Sequence, residues 1–407
     1  RLMREEPPQG VGAGSLARSE VLRLAASYER YRRTTLNMIP SENALSDDVL
    51  AALASPMAGR YAGFPETYGG SGKFHEIWER CEGLARSVFR CRGASVVPVS
   101  GHVAGMMALE ALAKRGASVA SVPPSHGGYR GYSQPYVPAI LGMEALELPF
   151  DPAAMNVDVE KAVVLVRREK PAVTVLGATV FLFPHPVKEI AEAAHAYGGK
   201  VVYDASHAMG LLAGGVFQDP LREGADVVVG STHKTLFGPQ GGIMFSDDEE
   251  TVMRVAEGYA YRFVDNFHLN RVAALGVALE EVMLHGARYA RDVVANSRAL
   301  AGALHAAGLP VAGAADGFTR SHQVLLPAGA KGAETMGRLE EAGIIVDSRV
   351  RFGTNEATRR GMGPKEMEEI AGLAALALLG GGARKARARS NALASRFRKL
   401  HYTLKDA

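Results

Sequence analysis

The sequence predicts an α/β protein: a largely parallel sheet covered by helices on both faces, followed by a smaller α+β domain. Three observations predict it. Short apolar runs of strand length recur between Ser46 and about residue 285. Helical patterns of apolar residues fall between several of them. Polar, glycine-containing clusters follow the runs directly, and in such sheets ligands gather where the strands' carboxyl ends feed into loops.

Residues 1–45 read as an N-terminal arm whose start, RLMREEPPQGVGAGS, lacks the apolar core of a signal peptide. Residues 46–285 form the expected large domain. In KFHEIWERCEGLARSVFR, Phe74, Ile77, Trp78, Cys81, Leu84, Ala85 and Val88 recur at helical spacing between the boundary signals Ser71 and Gly93. The runs SVVPV at 95–99, SVASV at 118–122, AVTVLGA at 172–178, KVVYD at 200–204 and DVVVG at 226–230 read as buried strands. VAGMMALEALAKRG and PVKEIAEAAHAYGG lie between some of them as helices, so crossover connections and a mostly parallel sheet are implied. Residues 286–407 form the expected smaller domain, helix-rich, with strands at HQVLLP and IIVDSRVRF. Its tail from Arg384 to Lys399 carries seven Arg or Lys and reads as a solvated helix face rather than a polyanion site.

A chain of 407 residues exceeds what one core fills, so two packed domains are the default. With 47% apolar and 22% charged residues the composition is that of an ordinary globular protein. A formal charge of +3 is too small for a chain-wide nucleic-acid footprint, and no apolar stretch approaches the roughly 18–20 residues that span a bilayer. Cys81 and Cys91 lack C-x-x-C spacing, which fits a reducing compartment and gives no metal or redox framework. A cytoplasmic enzyme without a metal, a nucleic-acid partner or a membrane partner is expected.

The chemistry concentrates at the strand ends. Asp204 closes the run Lys200-Val-Val-Tyr, and Lys234 follows the next strand within GSTHKTLFGPQGG. A strand-end carboxylate alone is more often a cap or turn residue, and a lone lysine more often a solvent-seeking loop residue. Ser100-Gly101 opens a helix whose unpaired N–H groups suit a phosphate. A cation, an anion and a phosphate cradle on neighbouring strand ends match pyridoxal 5'-phosphate, which uses a lysine Schiff base and an acidic partner for its ring nitrogen.

THKTLFGPQGG, YDASHAMGLLAGGVFQDPL, MIPSEN, YGG, SHGG and VRFGTNEATRRG stand here in the order in which they occur in serine hydroxymethyltransferases, and over residues 30 to 365 the chain resembles these fold-type I pyridoxal-phosphate enzymes. The resemblance implies a seven-stranded, mostly parallel sheet and a homodimer with shared active sites. It implies a Schiff base on Lys234, Asp204 beneath the ring nitrogen and His207 near the ring's phenolic oxygen. Arg351, assisted by Ser41, would hold the substrate carboxylate in a fork that guanidinium supplies and ammonium does not. Ser100, Gly101, His102, Thr179, Ser231 and His233 join the cofactor-binding set, and Tyr129 stands where the family's stacking histidine stands. Tyr61 and Tyr68 match tyrosines that approach the phosphate and the reacting group, the former from the partner subunit; as amphipathic interface aromatics they would look the same. His126 either hydrogen-bonds near the substrate or is a satisfied structural histidine.

The chain also departs from that pattern. Where the family reads YAEGYP it reads YAGFPETYGG, so the glutamate that handles protons in folate-dependent transfer is missing, with Glu66 three residues downstream. Pro124 and Arg130 replace leucines that flank the folate slot, DNFHLN at 265–270 replaces the glycine-proline loop offered to the partner's phosphate, and Gln240 replaces an arginine. Losing one positioned general acid costs about 10²–10⁴-fold in rate. YDASH, GGVF-x-DPL-x-x-GAD and GFT-x-SHQV look like L-threonine transaldolases, which run without folate. The expected activity is therefore aldol and retro-aldol chemistry at Cα–Cβ of a serine- or threonine-type β-hydroxy amino acid, with transfer of the glycyl unit to a free aldehyde. Folate-dependent hydroxymethyl transfer is the alternative, and a non-catalytic cofactor-binding or protein-interaction module the alternative of another class.

Overall fold

The computed structural model describes residues 19–62 and 68–406, the side chains of 257–261 excepted. Thirteen strands follow in chain order: β1 (Leu36–Asn37), β2 (Gly93–Ser95), β3 (Ser118–Ser121), β4 (Glu144–Glu147), β5 (Phe150–Asp151), β6 (Asn156–Val157), β7 (Val173–Leu176), β8 (Lys200–Asp204), β9 (Val227–Ser231), β10 (Gly242–Ser246), β11 (Gln323–Leu325), β12 (Ile344–Ile345) and β13 (Arg351–Gly353). Seven form the central sheet in the order β2-β10-β9-β8-β7-β3-β4. It is parallel except for β10, which runs antiparallel to both β2 and β9. The interior strands β7, β8 and β9 are Val-rich because helices cover both faces.

The elements differ from their sequence reading in specific ways. Of the strand expected at 95–99 only Ser95 joins the ladder; Pro98 accepts from Gly242 N–H at 3.0 Å but has no N–H to donate, and Val97 turns its own N–H onto Ser95 Oγ. The run IIVDSRVRF splits into β12 and β13, since Asp347 accepts from the Arg349 and Arg351 amides and Val350 takes φ 56°.

Two large apolar clusters pack the sheet, one containing Val201, Tyr203, Phe237 and Leu279, the other Met107, Val175, Val229 and Tyr132. A separate cluster gathers Leu300, Val324, Ile344, Phe352, Ile370 and Leu393, and draws in Leu36 and Met38 from the expected arm through the parallel β1–β12 pair. The division expected at residue 285 falls inside one uninterrupted helix, Leu269–Ala306, whose buried face serves both the sheet clusters and this second core. Among the described residues no helix is long and apolar enough to cross a membrane.

Candidate functional site

The carboxyl ends of β8 and β9 and the start of the Gly101–Leu112 helix converge on one cleft. Ser100 caps that helix, its Oγ accepting from Val103 N–H at 3.1 Å, which leaves the first-turn amides of Gly101 and His102 directed outward. The helix start lies hard against β9: a Cβ on Gly101 would come 2.4 Å from Ser231 Oγ. Ser231 N–H donates to Ser206 Oγ at 3.1 Å, tying the β9 end to the turn after β8.

Asp204 is buried and carries a donor on each oxygen, the Tyr132 hydroxyl on Oδ2 and the Ser206 N–H on Oδ1, both at 2.9 Å. Lys234 sits in the loop after β9. Burial pushes its amine down to about 8 against the opposing pull of Asp204, and Arg351 lowers it further. Among the described residues its Nζ has no hydrogen-bond or ion-pair partner. Its backbone carbonyl accepts from Asn43 Nδ2 at 2.8 Å, and Asn43 also donates to the Tyr289 hydroxyl at 2.9 Å.

Arg351, at the start of β13, reaches back to the same cleft. Its Nε and Nη2 both donate to Asp347 Oδ2, at 2.8 and 2.6 Å, and its Nη1 donates to the Thr179 carbonyl. The other Nη1 contact is His207 Nε2, at 3.5 Å. His207 stacks on His322 with ring centroids 5.5 Å apart, and His207 Nδ1 lies 3.4 Å from His322 Nε2. A carbonyl only accepts, so the 3.1 Å contact with Pro40 O places the His322 proton on Nε2. Burial holds His207 well below its ordinary value, with Lys234 and Arg351 adding to the effect, and holds His322 down at about 3. Both rings are neutral at pH 7. His233 is pushed down to about 4 by burial and then by Lys234, and its buried Nδ1 lacks a partner among the described residues.

Lys234, Asp204, His207, Arg351, Thr179, Ser231, Ser100 and Gly101 thus meet at adjoining strand and helix ends. Tyr129 joins them: its hydroxyl lies 3.0 Å from His102 Nδ1, and burial followed by Asp204 raises its pKa. Ser41 and His233 line a groove of about 1110 Å³ that Lys234, Asp204, His207 and Arg351 do not line. His126 is not drawn in; it is exposed and stacks on Phe150 with centroids 5.1 Å apart. Tyr61 and Tyr68 also stand apart, each 48% exposed, packed on one another at 5.2 Å, with the Tyr61 hydroxyl donating to Asp265. Gly63 and Glu66 lie outside the described residues.

Four participants escaped the sequence reading. Tyr132 follows Tyr129 by one helical turn in SHGGYRGY, His322 stands in the SHQV stretch, and Asn43 completes MIPSEN, so all three lay in motifs already singled out. Asp347 had no local signal. The whole set fits pyridoxal phosphate on the structure's own terms: an unpaired, half-buried amine, a buried carboxylate that acts on it and a capped helix start facing the same space.

The serine hydroxymethyltransferase family model matches residues 17–374. The chain is similar to the serine hydroxymethyltransferase of Methanopyrus kandleri, at 42% identity over 88% of this chain and 89% of that one, and to that of Aeropyrum pernix, at 38% identity over 95% and 94%. Among solved structures it is similar to the L-threonine transaldolase from Pseudomonas fluorescens in its internal aldimine state, with TM-score 0.88, 26% identity and coverage of 96% and 94%.

Proposed function

The chain belongs to the serine hydroxymethyltransferase family, enzymes that are pyridoxal-phosphate-dependent transferases, and from that premise we propose that it breaks and re-forms the Cα–Cβ bond of a β-hydroxy amino acid, using a free aldehyde rather than a folate-bound carbon as the second substrate. The observation that carries the reaction class is the unpaired amine of Lys234 between Asp204 and Arg351. Bound there, the cofactor supplies an electron sink for the α-carbanion.

The chain's own residues do the rest. With a pKa of about 8, a useful fraction of Lys234 is the free, nucleophilic amine at neutral pH. Asp204 holds the proton on the ring nitrogen. Arg351 grips the amino acid's carboxylate and so decides which α-carbon bond stands perpendicular to the ring. Neutral His207, backed by His322, hydrogen-bonds without adding charge beside Arg351. Tyr129, placed beside His102 and Tyr132, would cover the cofactor's ring. Asn43 and Tyr289 anchor the lysine loop from behind.

The choice of acceptor rests on Pro124 and Arg130, which replace the apolar walls of a pterin slot, with Arg130 exposed beside Tyr129. The threonine transaldolase likeness supports it. A second reading, hydroxymethyl transfer to a one-carbon carrier, is favoured by the higher identity of the relatives named serine hydroxymethyltransferase. Purified holoenzyme given threonine, serine or glycine, with and without tetrahydrofolate, separates them. Acetaldehyde release from threonine without the carrier is the expected result; turnover of serine only with the carrier overturns it. Lys234→Ala is expected to lose both turnover and the near-visible absorbance of the bound cofactor.

We also propose a homodimer. The Glu20–Arg33 helix has no buried residue and exposes Val21, Leu22 and Leu24, and the Tyr61–Tyr68 pair, anchored through Asp265, is half exposed away from this chain's own cleft.

A further inference from the structure

Asp204 has an unusual companion for a carboxylate that must pair with a ring nitrogen. Tyr132 is buried, its hydroxyl donates to Asp204 Oδ2 at 2.9 Å, and Ser206 N–H serves the other oxygen at the same distance. The phenol is held in place from several sides. The Arg130–Tyr132 turn delivers it, Tyr129 packs edge-on at 5.4 Å, and the Tyr132 carbonyl accepts from Ser121 Oγ. Opposite, the Gly101–Leu112 helix leaves room for it only because residue 105 is glycine: a Cβ there would stand 2.3 Å from the Tyr132 hydroxyl.

We propose that Tyr132 is a positioning residue that, through this hydrogen bond, holds the Asp204 carboxylate in place and so keeps the shared proton on the cofactor's ring nitrogen. The proposal rests on the reading above that Asp204 faces that nitrogen. Carboxylate and pyridine compete for one proton. Each donor to the carboxylate favours its charged form and lowers its basicity, leaving the proton on nitrogen. Remove the phenol and Oδ2 is left buried without its donor. The proton then moves from the ring nitrogen to Asp204, the ring loses its positive charge, and the electron sink weakens. The other groups that feel Asp204 do not substitute for the phenol. Lys234, from the loop after β9, is committed to the cofactor aldehyde; Tyr129, from the loop after β3, has His102 at its hydroxyl; Tyr203, on the same strand, donates to Gln218.

The test uses holoenzyme reconstituted with pyridoxal phosphate carrying ¹⁵N in the ring, read by NMR. Two variants serve. Tyr132→Phe deletes the hydroxyl, and Gly105→Ala keeps it but pushes it off Asp204. In both, the ring-nitrogen signal is expected to move from the protonated position toward that of neutral pyridine, while thermal melting reports the fold. Turnover should fall roughly 10- to 100-fold with the amino-acid KM within about twofold, the pattern of an interaction that matters only in the transition state. A ring-nitrogen signal that stays with wild type in a folded variant overturns the proposal. A wild-type signal already at the neutral position overturns the reading of Asp204 itself, and Asp204→Asn holoenzyme supplies the neutral reference.

Discussion

Arg351 precedes one short helix, Asn355–Arg359, and Arg359 is its last residue; each holds a carboxylate at 2.6 Å. Arg359 pairs with Glu281, and both side chains are 0% exposed. Its guanidinium also lies 3.9 Å from the ring centroid of Phe237, in the lysine loop, while its Nε and Nη1 and Glu281 Oε1 find no partner among the described residues. Arg351 is 6% exposed, but its partner Asp347 is 24% exposed and borders the cleft. The difference shows that ion-pair distance says little about role. A carboxylate that water can reach can be exchanged for a substrate's; one sealed in the core cannot.

The largest effect should come from breaking the sealed pair. Arg359→Ala leaves Glu281 bare and is expected to cost about 3–5 kcal/mol in denaturant unfolding, whereas Arg359→Met with Glu281→Leu should restore most of that loss. Arg351→Lys should leave the unfolding midpoint nearly unchanged yet raise the amino-acid KM by roughly 10- to 100-fold, the worth of hydrogen bonds to a charged group. If Arg351→Lys unfolded as readily as Arg359→Ala, the distinction would collapse.

Two buried neutral histidines give a pH test: His322, which stacks on His207 beside Arg351, and His185, whose Nδ1 accepts from Gly177 N–H at 3.0 Å. Burial holds the folded-state pKa of His322 and of His185 at about 3, whereas the unfolded chain takes up a proton near 6.5. Below pH 6.5 the unfolded state binds more protons, so stability falls with falling pH. Each histidine should cost about 2 kcal/mol between pH 6.5 and 5, and His322→Phe should remove its share of the slope, read from denaturant midpoints at the two pH values. The smallest effect belongs to the exchangeable carboxylate. Asp347→Asn keeps the backbone contacts of Oδ1 but removes a competing charge, and the amino-acid KM should fall about two- to fivefold.

Much of the sheet was legible because burial on both faces writes itself as Val-rich runs: β3, β7, β8 and β9 lie where the runs lie. The pair β4 and β10 was not read. Glu144–Glu147 is an edge strand whose outer face meets water, and GIMFS continues directly from the glycines of GPQGG with no valine to mark where the loop ends. At the cleft, residues at strand ends were readable because the position itself carries meaning. Tyr132 was not, since it acts on Asp204, 72 residues away in sequence; Asp347 was not, since it meets Arg351 four residues on only through the turn in which Val350 takes φ 56°. His126 misled for the converse reason: its motif neighbours face the cleft while its own ring lies on Phe150.

The Leu269–Ala306 helix holds its 38 residues without a break and lends its surface to both cores. Each residue of a helix advances its face by about 100°. One residue inserted near position 296 would therefore swing every downstream side chain by that angle, turning Leu300, Ala301 and Leu304 away from the second core while Tyr289, Ala290 and Val293 stayed seated in the first. The spacing between the two halves is in this sense locked in phase as well as in length, and evolution can lengthen this spine only by amounts that bring the pattern back into register.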